Sequence, residues 1–218
     1  MRRRAFVRTA AGLLVLPAIT HGAPPEVEDR KLQNRLELWR NFALRTSNLL
    51  ARITTTRETS LLEAPLVVTG TLAFVAPSRL VLRDDGLAGS ATRIDGHEVR
   101  ITLNRDTSEA QQPLRRTTPA AAWVADRFIR MFAPGDEQDL VAGARTHIPR
   151  GRGYRLELMP PRASLVRKTV RSLTLTLDPV AGAITEITIA EAQGDRVRVQ
   201  LTDHRQNLPP EDVEALFE

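Results

Sequence analysis

The sequence predicts an α+β chain, mainly β, in which an antiparallel sheet with one apolar face is covered by a few helices. Three observations carry this. Period-two alternation recurs along the chain. Val99, Ile101 and Leu103 alternate with Glu98, Arg100 and Thr102, and Val197, Val199 and Leu201 alternate with Arg196, Arg198 and Gln200. That is the pattern of strands with one buried and one wet face. Asp95-Gly96 and Gly194-Asp195 supply tight-turn chemistry beside such segments. Helical spacing is confined to a few stretches. An open sheet around a cavity, a closed barrel and a sandwich with a filled core all satisfy the pattern, which does not choose among them.

In chain order, Met1-Arg2-Arg3-Arg4-Ala5-Phe6-Val7-Arg8 is basic, Ala10 to Ile19 is apolar, and Thr20, Gly22 and Ala23 are small. This predicts an export signal over residues 1–23, too short to span a bilayer. Arg3-Arg4 fits a twin-arginine route and the whole segment fits the general secretory route, so both stay open. Residues 24–218 are expected to form a single domain in the periplasm. From Glu28 to Ile53, Leu32, Leu36, Trp39, Phe42/Ala43, Leu49/Leu50 and Ile53 recur at helical spacing. They predict one long amphipathic helix, either packed on a sheet or shielding a lipid-binding surface. Leu66 to Val75 reads as a strand apolar on both faces, and Leu80-Val81-Leu82 as another after the Pro77-Ser78 turn. Thr118 and Pro119 suit a helix start, Trp123, Val124, Phe128, Met131 and Phe132 give that helix an apolar side, and Ala133-Pro134-Gly135 stops it. A short helical piece is expected in Asp136 to Val141. Strands are expected around Tyr154, Leu156 and Leu158, around Leu173, Leu175 and Leu177, and around Ile187 and Ile189. A terminal helix is expected over Glu211 to Phe217.

The 218 residues carry 31 Lys+Arg against 26 Asp+Glu, a net charge of +5, with no Cys. Four of the Arg lie in the segment 1–23, and the rest of the chain holds 27 basic and 26 acidic residues. The basicity therefore belongs largely to the export signal, and a nucleic-acid function loses its main support. The absence of Cys excludes disulfides, thiolate zinc sites and a thiol nucleophile. His21, His97, His147 and His204 have no metal-ligand spacing, and no Gly-x-Ser-x-Gly elbow occurs. For a hydrolase, Asp203-His204 could orient a base, Ser90 or Ser164 could be a nucleophile and His147 is the other candidate histidine, but no local pattern supports any of them. No catalytic residue, metal or cofactor is expected. Asp84-Asp85 and Asp136-Glu137 read as solvated turns. Arg115-Arg116 and Arg150-Gly151-Arg152 read as basic loop tips, for solubility or for docking to anionic headgroups.

The order of these segments resembles a family. Gly70-Thr71-Leu72-Ala73-Phe74, Pro77-Ser78-Arg79-Leu80, Ile94-Asp95-Gly96, Gly153-Tyr154-Arg155-Leu156-Glu157-Leu158-Met159-Pro160 and the Asn207…Phe217 ending follow a long N-terminal helix. Over about Val27 to Phe217 this is similar to the periplasmic outer-membrane lipoprotein carriers, the LolA-like proteins. It has shape features of divergent members associated with lipid or polyene biosynthesis. The resemblance implies an unclosed antiparallel half-barrel with helices covering its concave apolar face. It also implies a monomeric carrier or chaperone that shields the acyl chains of a lipid or lipidated protein. The cargo would pass from an inner-membrane donor complex or exporter to an outer-membrane acceptor. Leu72, Phe74, Leu80, Val99, Ile101, Leu156, Leu158, Leu173 and Leu175 would then line the cavity, with Trp123, Phe128 and Met131 from the lid. One departure stands out. Carriers of this type often hold a basic residue before the strand-breaking Pro to tie the lid down; here Ala76 occupies that place, with Arg79 and Arg83 out of register. A periplasmic lipid-binding sensor is the alternative. Such sensors commonly carry a second domain, for which the length leaves no room.

Overall fold

The computed structural model describes residues 25–85, 89–96, 98–103, 118–133, 135, 137–151 and 153–217. The expected export signal at 1–23, His97, Arg115-Arg116, Asp136 and Arg152 lie outside them. Helix α1 (Pro25–Ala43) leads into strand β1 (Asn48–Glu58). The single helix expected over Glu28 to Ile53 thus ends ten residues early. Thr46 closes it: its hydroxyl donates to the Phe42 carbonyl at 2.9 Å, and its N–H turns back onto Ala43. Beyond the turn, Ile53-Thr54-Thr55-Thr56 is β-branched and favours extended chain. Leu49 and Ile53 are four apart, so they satisfy helical spacing as well as strand alternation. That double fit misplaced the boundary.

The remaining strands are β2 (Leu66–Val75), β3 (Arg79–Asp84), β4 (Ser90–Asp95), β5 (Glu98–Leu103), β6 (Arg145–His147), β7 (Tyr154–Met159), β8 (Val170–Leu177), β9 (Ile184–Glu191) and β10 (Arg196–Gln206). Helices α2 (Pro119–Phe132) and α3 (Glu137–Val141) stand between β5 and β6, and α4 (Pro210–Glu214) ends the chain. Thr118 caps α2, its hydroxyl accepting from the Ala121 N–H, with Pro119 in the first turn as expected. β4 and β6 were not foreseen: β4 has one large apolar residue, Ile94, and β6 is three residues long.

Among the described residues, all strands join one ten-stranded sheet in the order β5-β4-β3-β2-β1-β10-β9-β8-β7-β6. Every pairing is antiparallel, and the terminal strands β5 and β6 do not meet, so the barrel is unclosed. The order explains the helices. β5 and β6 are consecutive in sequence yet lie at opposite edges. The chain must cross from one to the other, and α2 and α3 lie on that crossing against the concave face. One cluster fills most of this side: Leu36, Trp39 and Phe42 from α1, Phe128, Met131 and Phe132 from α2, and inward residues of the sheet. Phe74 and Phe132 meet with ring centroids 5.9 Å apart. α1 also approaches the β8–β9 turn closely. Gly182 there has φ +76°, and a Cβ would stand 2.2 Å from the Leu38 carbonyl oxygen, so only Gly is accommodated.

The convex face carries a second, smaller cluster. Ala73, Val81 and Val213 are buried together, with Leu50, Leu208, Leu216 and Phe217 around them. This accounts for β2 being apolar on both faces. Arg79 makes a bidentate pair with Glu214 of α4 and lies 5.0 Å from the Phe217 ring centroid, while Arg83 donates to the Leu216 carbonyl at 3.2 Å. The two arginines that follow Ala76-Pro77 therefore fasten the C-terminal segment on the convex side of the sheet. The Arg79 hydrogen bonds hold the Glu214 carboxyl below its ordinary value. A depressed carboxylate stabilises the fold above its unfolded-state pKa, and that contribution is lost as pH falls through the folded value. Acidification below the normal carboxylate range is therefore expected to loosen α4, read as movement of the Val213 methyl resonances. Glu214→Gln should loosen it at neutral pH and flatten the pH dependence. An unchanged acid profile in that variant would contradict the assignment.

Candidate functional site

Helix α2 has two halves of different size. Pro119-Ala120-Ala121-Ala122 opens it with small side chains, whereas Phe128, Ile129, Met131 and Phe132 close it with large ones. The large half fills the concavity. Phe128, Met131 and Phe132 are buried. Trp39 of α1 donates its indole N–H to the Met131 carbonyl at 2.7 Å, tying the two helices together. Arg127 is buried beside them, donating to the Leu140 and Ala142 carbonyls and pairing with Asp126 at 3.1 Å. Burial pulls the Arg127 pKa down and the Asp126 carboxylate pushes back. Its hydrogen bonds anchor α2 to α3.

The small half leaves space beneath it. A cavity of about 450 Å³ lies between the first turns of α2 and the sheet, within the usual range of ligand pockets, roughly 300–1,000 Å³. The buried Ile94, Val170 and Val199 line it from the sheet, and the buried Ala120, Ala125 and Phe128 line it from α2. Leu82, Val99, Ile189 and Val197 on the sheet form its half-buried walls, and the half-buried Val124 joins the α2 side. Thr118, Ala121, Thr169 and Ile101 are exposed and mark the mouth; Ile101 of the edge strand is 38% exposed. The polar lining is Thr55, Thr92, Thr118 and Thr169, Ser90, Asp84 and Glu191. Ser90 donates to Asp84 at 2.7 Å, and Glu191 has Arg57 at 3.7 Å. No Lys, Arg or His lines the cavity among the described residues.

Of the residues expected at the cavity, Val99, Ile101 and Phe128 line it. Leu72, Phe74, Leu80, Leu156, Leu158, Leu173 and Leu175 are on the concave side too, but each is at most 1% exposed and sits in the closed cluster with Trp39 and Phe42. Met131 belongs to the anchored end of α2 and is fully buried. Trp123 packs with Val166 and Val170 beside the short 3-10 helix Leu165–Lys168. The apolar residues missed are Leu82, Ile94, Val124, Val170, Ile189, Val197 and Val199, with Ala120, Ala121 and Ala125 of α2. The run Ala120-Ala121-Ala122 was their signal: small residues on a lid helix mark where the concavity stays empty.

The candidate hydrolase residues are apart. The His204 Nε2 engages the Ile184 carbonyl at 2.8 Å, His147 is exposed on β6, and the Ser164 hydroxyl accepts from the Val166 N–H. Among the described residues no group of His, Cys, Asp and Glu could hold a metal, and no helix is long and apolar enough to cross a membrane.

No family model and no curated protein matches the sequence. Solved structures do. A DUF1329 family protein from Desulfovibrio piger aligns over 87% of this chain and 96% of its own, at 10% identity and TM-score 0.46. MucB of Pseudomonas aeruginosa, solved with MucA, aligns over 83% of this chain and 59% of its own, at 14% identity and TM-score 0.42. A LolA superfamily protein from Nitrosomonas europaea aligns over 84% of this chain and 96% of its own, at 13% identity and TM-score 0.44.

Proposed function

We propose that this chain is a non-enzymatic periplasmic carrier that shields an acyl or comparable apolar chain during transfer toward the outer membrane. One observation supports this most: the cavity of about 450 Å³, walled by aliphatic side chains and roofed by the small-residue half of α2. Each methylene hidden from water is worth about 0.8 kcal/mol, so an acyl chain does not cross an aqueous compartment unshielded. Aliphatic walls hold it without directional bonds, which leaves the cargo free to be handed on. The anchored half of α2 keeps the roof attached, and its small half is the part that can lift for loading and release.

The test is native mass spectrometry of the protein purified from its own periplasm. An acyl-bearing ligand that co-purifies, and is displaced by added lipid, supports the carrier. An empty protein with no affinity for any lipid overturns it.

A further inference from the structure

We infer that the edge of the sheet at which the cavity opens docks on an anionic lipid bilayer. Two exposed apolar points lie on that edge, one of them ringed by cations. The first is the β1–β2 connection. Its turn is closed by the Leu62 N–H, which donates to the Thr59 carbonyl at 3.2 Å. Leu61 there is 89% exposed and Leu62 51%, and Leu66 and Val67, which open β2, are more than half exposed as well. A lone exposed leucine is ordinary, but large aliphatics gathered over residues 61–67 make a patch that calls for a partner. The second point is the 3-10 helix Leu165–Lys168. Val166 packs inward on Ala120 and Val170, and so tight a turn sends the neighbouring side chain outward: Leu165 is 66% exposed. Arg162, Arg167 and Lys168 stand exposed around it, and no acid occurs between Glu157 and Asp178.

Hydrogen bonds place the two points on one edge. The Thr169 carbonyl, beside the 3-10 helix, accepts from the Ala192 N–H at 2.8 Å. Across the β9–β10 turn, Asp195 accepts from the Ser60 N–H at 3.2 Å. Only β9 and β10 stand between β8 and β1, a span of about 15 Å. Glu58 on this edge faces Arg196 and Glu191 faces Arg57, each at 3.7 Å, while Glu63 lies beside Leu62. The charge that sets the edge apart is therefore the Arg162, Arg167 and Lys168 group. Leucines that enter an interface with cations beside them match acyl chains and anionic headgroups together. Thr169 also marks the cavity mouth. A bilayer touching Leu165 would face the opening, and an apolar chain would pass between membrane and cavity without crossing water.

The test is co-sedimentation of the protein, purified from its own periplasm, with vesicles of phosphatidylglycerol and phosphatidylethanolamine or of phosphatidylcholine alone. The anionic vesicles are expected to bind at least about tenfold more tightly, and added salt should narrow the difference. Leu61→Asp with Leu165→Asp should weaken binding to them at least about tenfold. Arg162→Gln with Arg167→Gln and Lys168→Gln should weaken it roughly a hundredfold. All five side chains are exposed, so the thermal melt and the binding of a fluorescent acyl probe in solution should match the parent. Three results overturn the docking face: no binding to the anionic vesicles, equal binding to both kinds, or variants that bind as the parent does. A parent that ignores vesicles but is held by a membrane protein has a protein partner here, and the lipid assignment falls. The carrier reading fails separately: vesicles bound with no affinity for any acyl probe would support the docking face and bring down the carrier.

Discussion

Val124→Trp is expected to abolish chain binding while leaving the fold standing. Val124 sits on the roof, half-buried, lining the cavity from the first turns of α2. An indole there has empty space to enter, so the usual penalty for overfilling a packed core does not apply. It would occupy the room of several methylenes. Excluding about four of them forfeits about 3 kcal/mol, roughly a hundredfold in affinity. Titration with a fluorescent acyl probe measures the loss, and a melt within a few degrees of the parent shows that folding is unaffected. Binding that stays within a few-fold would mean the cavity is not the site. Leu156→Glu and Leu173→Glu are the substitutions that strand alternation alone suggests. Both positions are in the closed cluster, so a carboxylate there reports on folding.

Trp39→Ala should be the most damaging apolar truncation. The side chain is 1% exposed, and its N–H bond to the Met131 carbonyl joins α1 to the anchored half of α2. Truncation leaves a cavity of indole size and an unpaired buried carbonyl. A loss of about 3–5 kcal/mol follows, a fall in Tm of about 10 °C for a chain of this length. Chemical denaturation measures it. Trp39→Phe should recover part of the stability by restoring volume while the carbonyl stays unpaired. A loss under about 1 kcal/mol for Trp39→Ala would show that the two helices are not coupled through this residue.

Most of the sheet was legible because its strands alternate cleanly. β5, β7, β8 and β10 each present large apolar residues every second position, and the turns at Gly96 and Gly194 use positive φ as their Asp-Gly and Gly-Asp pairs predict. β1 was read as helix because Leu49, Leu50 and Ile53 satisfy both periods. β4 escaped because two of its inward positions, Ser90 and Thr92, are polar residues that line the cavity. The apolar face was legible, while the cavity lies elsewhere along it than most of the expected lining residues. Alternation identifies which face is apolar; it says nothing of how far along that face a covering helix fills the space. The largest leucines looked most like a binding wall, and they are the ones α1 and the large half of α2 cover. The cavity lies where side chains on the roof shrink to alanine, a signal of absence that patterning by hydrophobicity passes over.

The strand order has a consequence for how the chain assembles. Every neighbouring pair in the sheet is consecutive in sequence except β1 and β10, where Thr54 pairs with Gln200. The two meanders, β1 to β5 and β6 to β10, therefore form from local contacts, with small loop-closure costs. The non-local ordering of the sheet is concentrated in one seam at its middle. Contact order, which sets folding speed across small proteins, is raised mainly by that single joint, and the half-barrel becomes continuous only when the first strand and the last have found their register.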